Sequence, residues 1–301
     1  MDTADRLDRA LQGVIPPLIT PLTAGGGLDE EALVRHAQHC LDAGCTGVFL
    51  SGSSGEGPWL TAAQRRRIVE AVAARGTLVL AGTMLPGTSM TREAALEAEA
   101  AGAAAIVVSA PYYFGADEDT IVRHVEAVVE AVTVPALLYN IPQLTHNPMT
   151  AGVVARLAAD PRIVGIKDSS GDRALFASHL EIREQHPFRV LQGAEERMGD
   201  SLRAGADGLV PGLANVAPEL FVALQQAVIA GDGAAADAEQ TISRLRGIYD
   251  IAPTFAAMKA ACEVLGVCGR TPAAPLAPAT EPQVERIAQL LTGVGLMAAT
   301  A

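Results

Sequence analysis

Eight short apolar, β-rich runs alternate along the chain with longer segments of helical period, and this alternation constrains the fold more than any other feature. The runs occupy residues 13–22, 46–53, 77–84, 104–111, 134–141, 163–170, 189–195 and 207–213. Between them lie Ala/Leu/Glu/Arg-rich stretches such as residues 29–44, where Asp29 is placed to cap a helix, and 91–102. Strands separated by helices pair in parallel, and eight such units predict an α/β fold, a closed (β/α)8 TIM barrel. A doubly wound open sheet would need a phosphate-binding fingerprint after its first strand. The glycines at 25–27 do not supply G-x-G-x-x-G. After the eighth run only helical segments appear, with a Pro/Ala-rich linker at 271–282 before the last one. The expected organisation is a catalytic barrel over residues 1–217 and a C-terminal helical extension over 218–301, a size that 301 residues, half of them hydrophobic, can fill.

Reacting groups in such a barrel come from the C-terminal ends of the strands. The sixth run, IVGIK, ends on Lys167 and passes at once into the polar turn DSSGD. An amine is unusual at the end of a buried strand, and burial disfavours an ammonium, leaving a nucleophile suited to imine formation with a ketone. The fifth run ends in Tyr139, a phenol able to move protons for that imine. The second ends in SGSSGEG (51–57), whose glycines allow close backbone approach and whose serines offer hydroxyl donors, a pocket for a small anion such as a carboxylate. Tyr112 and Tyr113 close the fourth run, and Glu195 and Glu196 the seventh. Facing one cavity, these groups suit a keto acid held as a Schiff base.

The formal net charge of −12 and pI near 4.9 argue against nucleic acid or an anionic membrane as partner, and Arg65–Arg66–Arg67 reads as a solvated helix face. The cysteines Cys40, Cys45, Cys262 and Cys268 show no metal-ligand spacing and fit reduced thiols in a cytoplasmic protein, and the N-terminus has no secretory pattern. No apolar stretch is long enough to span a membrane.

The motifs GSSGE, APYY, LLYNIP and VGIKDSSGD, in this order and at these strand ends, resemble the dihydrodipicolinate synthase/N-acetylneuraminate lyase family of pyruvate-dependent class I aldolases, from about Val14 through the helical tail. The resemblance implies a barrel with a C-terminal helical bundle, assembled as a homotetramer of two tight dimers, acting on pyruvate or another 2-oxo acid and an aldehyde with neither metal nor organic cofactor. It implies that Lys167 forms the imine and that Tyr139 shuttles the proton of the aldol oxygen. Ser53 and Ser54 would hold the carboxylate, with Ser53 linking Tyr139 to a Tyr113 that often arrives from the neighbouring subunit. Further substrate contacts are expected from Gly52, Leu144, Ser169, Gly193, Glu195 and Glu196.

Departures from the family pattern bear on the substrate. Members that condense pyruvate with aspartate semialdehyde carry an arginine where this chain has Leu144, and the lyases carry hydroxyl-binding acids where it has Glu195 and Glu196. The expected reaction is therefore aldol cleavage of a 2-keto-3-deoxy sugar acid or related hydroxylated 2-oxo acid. The alternatives are 4-hydroxy-tetrahydrodipicolinate synthase and a non-catalytic keto-acid-binding barrel. The stretch 81–91 and His146 also depart from the usual pattern. A phosphate-binding barrel would place glycine-rich loops after strands seven and eight, and only 205–215 offers one; a metal-assisted aldolase would need converging His, Asp or Glu ligands, and of the six histidines only His146 lies near a strand end.

Overall fold

The computed structural model describes residues 3–298. Seven parallel strands pair in sequence order: β1 (Val48–Leu50), β2 (Val79–Gly82), β3 (Ala105–Ser109), β4 (Ala136–Asn140), β5 (Ile163–Asp168), β6 (Arg189–Gln192) and β7 (Gly208–Leu209). The first apolar run differs from its expected form. It contains Pro16 and Pro17, which have no N–H to donate to a ladder, and it makes isolated parallel bridges in place of a strand, Val14 with Leu209 and Pro17 with Phe49. Ile15 N donates to Leu209 O and Phe49 N to Pro16 O, each at 2.9 Å. These bonds join β7 to β1 and close the barrel, so the eighth position is filled without a regular ladder.

Helix α1 (Thr3–Ala10) precedes the barrel. Helices α2 (Glu30–Asp42), α3 (Ala62–Ala73), α4 (Thr88–Ala100), α5 (Glu118–Val129), α6 (Pro142–Thr145), α7 (Ala151–Ala158), α8 (Arg173–Arg183) and α9 (Met198–Arg203) lie between its strands. Helices α10 (Pro218–Ala230), α11 (Ala234–Leu245), α12 (Thr254–Val264) and α13 (Glu281–Gly293) form the C-terminal extension. Local chemistry starts many of them: the side chains of Asp29, Asp117, Thr150 and Asp172 each accept from a first-turn N–H, and Thr61 with Gln64 forms a capping box.

Strand alternation divides the apolar residues between two cores. Leu80, Val107, Leu137, Leu191 and Val210 point into the barrel, joined from its N-terminal end by Leu7, Ala10 and Leu11 of and after α1. Ile106, Val108, Leu138, Ile166 and Val190 point outward and pack under the helices. With its N-terminal end filled in this way, the barrel's open cavity lies at the C-terminal strand ends.

Candidate active site

Lys167 faces the barrel interior because of an irregularity in β5. Ala136 of β4 pairs with Ile163, but Leu137 pairs with Gly165, so Val164 is an extra residue on β5. Ile163 packs in the outer core, and strict alternation from there would send Lys167 outward as well. The inserted residue reverses the parity: Ile166 turns outward, and Lys167 comes into register with Tyr139 on one side and Leu191 on the other. The lysine is only 4% exposed, with Nζ 4.2 Å from the centre of the Tyr139 ring and 5.1 Å from that of Phe49. The two rings meet edge to face at 6.1 Å. The chain has two lysines, Lys167 and Lys259. Lys259 is paired with Glu56, whereas Lys167 rests on aromatic faces with no carboxylate partner among the described residues.

A buried hydrogen-bond brace fixes the ends of β4 and β5 against one another. Asn140 Nδ2 donates to Asp168 Oδ1 at 2.9 Å, and Asn140 Oδ1 accepts from Met149 N at 3.1 Å. Asp168 also accepts from the backbone N–H and hydroxyl of Ser170, while burial pushes its carboxyl above the ordinary aspartate range. Gly193 N donates to Asp168 O at 2.7 Å and brings the β6 loop against the lysine. A Cβ on Gly193 would lie 2.8 Å from Lys167 Cε, so this position leaves no room for a side chain.

A cavity of about 530 Å³ opens above these strand ends. Lys167, Tyr139, Ser53 and Ser54 border it, as do Leu144, Ser169, Gly193, Glu195 and Glu196, so most of the site residues expected from the sequence share one space. Two do not. Gly52 lies behind the Phe49 ring, 2.8 Å from where its Cβ would stand, and is not among the lining residues. Tyr113 points away from its own cavity, 83% exposed on a left-handed backbone (φ 83°) with its ring against Phe114. Within one chain, then, Ser53 is not joined to Tyr113.

The acidic pair expected to bind hydroxyls carries its own counter-charge. The Glu195 side chain is only 8% exposed, and its Oε1 accepts from Leu213 N at 2.7 Å and from the Tyr249 hydroxyl at 3.4 Å. Burial raises its carboxyl to about 7. Arg246 faces both acids, 3.8 Å from Glu195 Oε2 and 3.2 Å from Glu196 Oε2. The repulsion that two uncompensated carboxylates would exert on an acidic aldehyde is therefore reduced. Arg246, Tyr249, Thr254, Phe255 and Met258 were not singled out from the sequence, since they lie in amphipathic helical segments without a motif. The last four nevertheless line the cavity.

Lys167 is the one basic side chain among the described lining residues. Among the described residues no group of three or more His, Cys, Asp and Glu side chains could hold a metal ion. The site can thus offer one amine nucleophile, two phenols in Tyr139 and Tyr249, hydroxyl donors and, in Glu195, a carboxyl whose affinity for protons is raised by burial.

The sequence profile of the dihydrodipicolinate synthetase family matches residues 10–293. A 4-hydroxy-tetrahydrodipicolinate synthase from Acidiphilium cryptum is 36% identical over 300 residues, covering 95% of this chain and 99% of that one. A putative 2-dehydro-3-deoxy-D-gluconate aldolase, YagE, from Escherichia coli K12 is 35% identical over 288 residues, covering 93% and 95%. The crystal structure of YagE in complex with pyruvate superimposes with a TM-score of 0.90 at 33% identity, covering 95% of this chain and 99% of that chain.

Proposed function

From the premise that the chain belongs to the dihydrodipicolinate synthetase family and is a lyase of that family, we propose that it is a class I aldolase cleaving a 2-keto-3-deoxy sugar acid or related hydroxylated 2-oxo acid to pyruvate and an aldehyde. The Lys167 amine adds to the C2 ketone and water leaves, giving a protonated imine. Tyr139, whose phenolic proton has left with that water, removes the proton of the C4 hydroxyl. The C3–C4 bond breaks, its electrons flow to the imine nitrogen, and the aldehyde departs. The enamine takes a proton at C3, and water releases pyruvate and restores the amine. Ser53 and Ser54 hold the substrate carboxylate, and the turn they belong to borders the cavity beside Lys167. All of this chemistry runs through the imine and calls on no metal or organic cofactor.

The substrate preference rests on one observation: beyond Lys167 the described lining offers no cation, and Leu144 stands where a carboxylate-binding arginine would be needed. A neutral hydroxylated aldehyde is accommodated there at less cost than an acidic one. A missing arginine–carboxylate pair in a poorly solvated site disfavours the semialdehyde by several kcal/mol, roughly a hundredfold or more in specificity. The synthase reading has one observation in its favour, the compensation of Glu195 and Glu196 by Arg246. The deciding experiment compares kcat/KM for cleavage of 2-keto-3-deoxy sugar acids with that for condensation of pyruvate and aspartate semialdehyde, on one preparation and then on Leu144→Arg. Faster condensation by the unmodified protein would reverse the assignment.

We place the enzyme in the cytoplasm, where thiols stay reduced, in keeping with the four free cysteines. We read the working form as a homotetramer built from dimers. The exposed large apolar side chains Trp59, Met90, Tyr113, Phe114 and Leu144 support this, since Trp59, Met90 and Leu144 border one apolar opening next to the catalytic cavity.

A further inference from the structure

The second lysine of the chain takes no part in the proposed reaction, yet it is tied to the residues that do. Lys259 Nζ, on α12, lies 3.1 Å from Glu56 Oε1 and 3.2 Å from Oε2, and donates to Thr271 O at 2.7 Å. Glu56 Oε2 also accepts from Ala273 N at 2.5 Å. Both charged side chains are 0% exposed. Removing charges from water to this depth is costly, and a buried ion pair by itself seldom stabilises a fold more than apolar residues would.

Glu56 closes the turn that carries Ser53 and Ser54. Its own N–H donates to Ser53 O at 3.0 Å, Gly57 N donates to Gly52 O at 3.0 Å, and Thr20 Oγ1 holds Gly55 O at 2.6 Å. Ser51 and Glu56 both have left-handed backbones, with φ of 53° and 57°, a conformation that non-glycine residues keep only when their surroundings hold them there. A Cβ on Gly57 would fall 1.9 Å from Ser51 O, so the turn is closed tightly on itself. At the other end of the ion pair, α12 presents Phe255 and Met258 to the same cavity.

We propose that Lys259 is a positioning residue for the 2-oxo acid: acting through Glu56, it sets the turn on which Ser53 and Ser54 meet the substrate carboxylate. The helical extension thereby governs affinity for the keto acid without supplying a reacting group. This rests on the reading of Ser53 and Ser54 as carboxylate ligands.

The test uses Lys259→Met, Glu56→Gln and the double variant, each in the full chain. Thermal midpoints are measured beside the pyruvate dependence of borohydride-trapped adduct on Lys167. Either single change leaves an uncompensated buried group and lowers the midpoint; the double change removes both charges and restores much of it. The expected result is that the double variant keeps a pyruvate half-saturation at least tenfold above the parent's, while trapping at saturating pyruvate reaches the parent's extent. A half-saturation that returns to the parent's value together with the midpoint would overturn the proposal, because the pair would then be structural only. Should neither variant bearing Lys259→Met fold, Glu56→Gln, which keeps the side-chain shape and the acceptor for Ala273 N, carries the same comparison. Calorimetric pyruvate binding separates this proposal from the imine: a parent that binds pyruvate without forming adduct sinks the imine reading and leaves the affinity comparison in force, and a parent that does not bind pyruvate overturns both.

Discussion

Replacing Gly193 with alanine tests how narrowly the lysine is placed. The added Cβ would stand 2.8 Å from Lys167 Cε, 2.1 Å from Ser169 Oγ and 3.2 Å from Asp168 O. The serine hydroxyl can rotate away, but the Asp168 carbonyl is backbone and is bound by Gly193 N itself. Carbon atoms in contact sit about 3.5–4.0 Å apart, so Cε must move by roughly 1 Å. Lys167 has little freedom to do so between Phe49 and Tyr139. A misplacement of that size costs on the order of a hundredfold in reactions that depend on aligned groups. The assay is the rate of borohydride trapping at saturating pyruvate, followed by intact mass, with the thermal midpoint as a check on folding. Gly193→Ala should trap about 10 to 100 times more slowly while staying folded. The double variant Gly193→Ala/Ser169→Ala should remain slow, since the contact with Cε persists. Trapping at the parent's rate by folded Gly193→Ala would refute the placement of the amine against the β6 loop.

Two further outcomes follow from the site. Tyr139→Phe should still form the pyruvate adduct while losing aldol turnover by a factor on the order of 100 to 10,000, and full turnover would remove the phenol from the mechanism. Glu195, with a carboxyl raised by burial from 4.5 to about 7, binds more protons folded than unfolded between those values. Its stabilising contribution is therefore complete below about pH 4.5 and is lost as pH rises through about 7, amounting to about 3 kcal/mol at most. Denaturant unfolding of Glu195→Gln across this window should show a shallower decline with pH than the parent; an identical slope would contradict the burial of the carboxyl.

The barrel was legible because its pattern is carried by local chemistry: apolar runs of strand length, helix caps such as Asp29 and Asp172, and glycines at strand ends. Pro16 and Pro17 mark the limit of that reading, since apolar content predicts a strand while their missing N–H groups forbid its ladder. Lys167 and Tyr139 were legible as strand ends, but their side-by-side placement depends on the extra residue at Val164, which a run of apolar residues does not reveal. Glu195 and Glu196 were legible by position, but their surroundings were not. Their counter-charge, Arg246, lies about fifty residues downstream, and such long-range pairing leaves no periodic trace in a helical segment. The Lys259–Glu56 pair was missed for the same reason, with the lysine set in an otherwise apolar helix face and the glutamate within a turn read for its glycines and serines.

The central claim is that Lys167 alone forms the imine. The chain's side chains offer two amines to pyruvate, and Lys259 is held by Glu56 and Thr271, so the outcome is unambiguous. Incubation with pyruvate and borohydride, followed by proteolysis and peptide mass analysis, should place one reduced pyruvate on the peptide containing Lys167, abolish activity in proportion, and give no adduct with Lys167→Arg, whose guanidinium stays charged. An adduct on Lys259, an adduct surviving in Lys167→Arg, or full activity after treatment would contradict it.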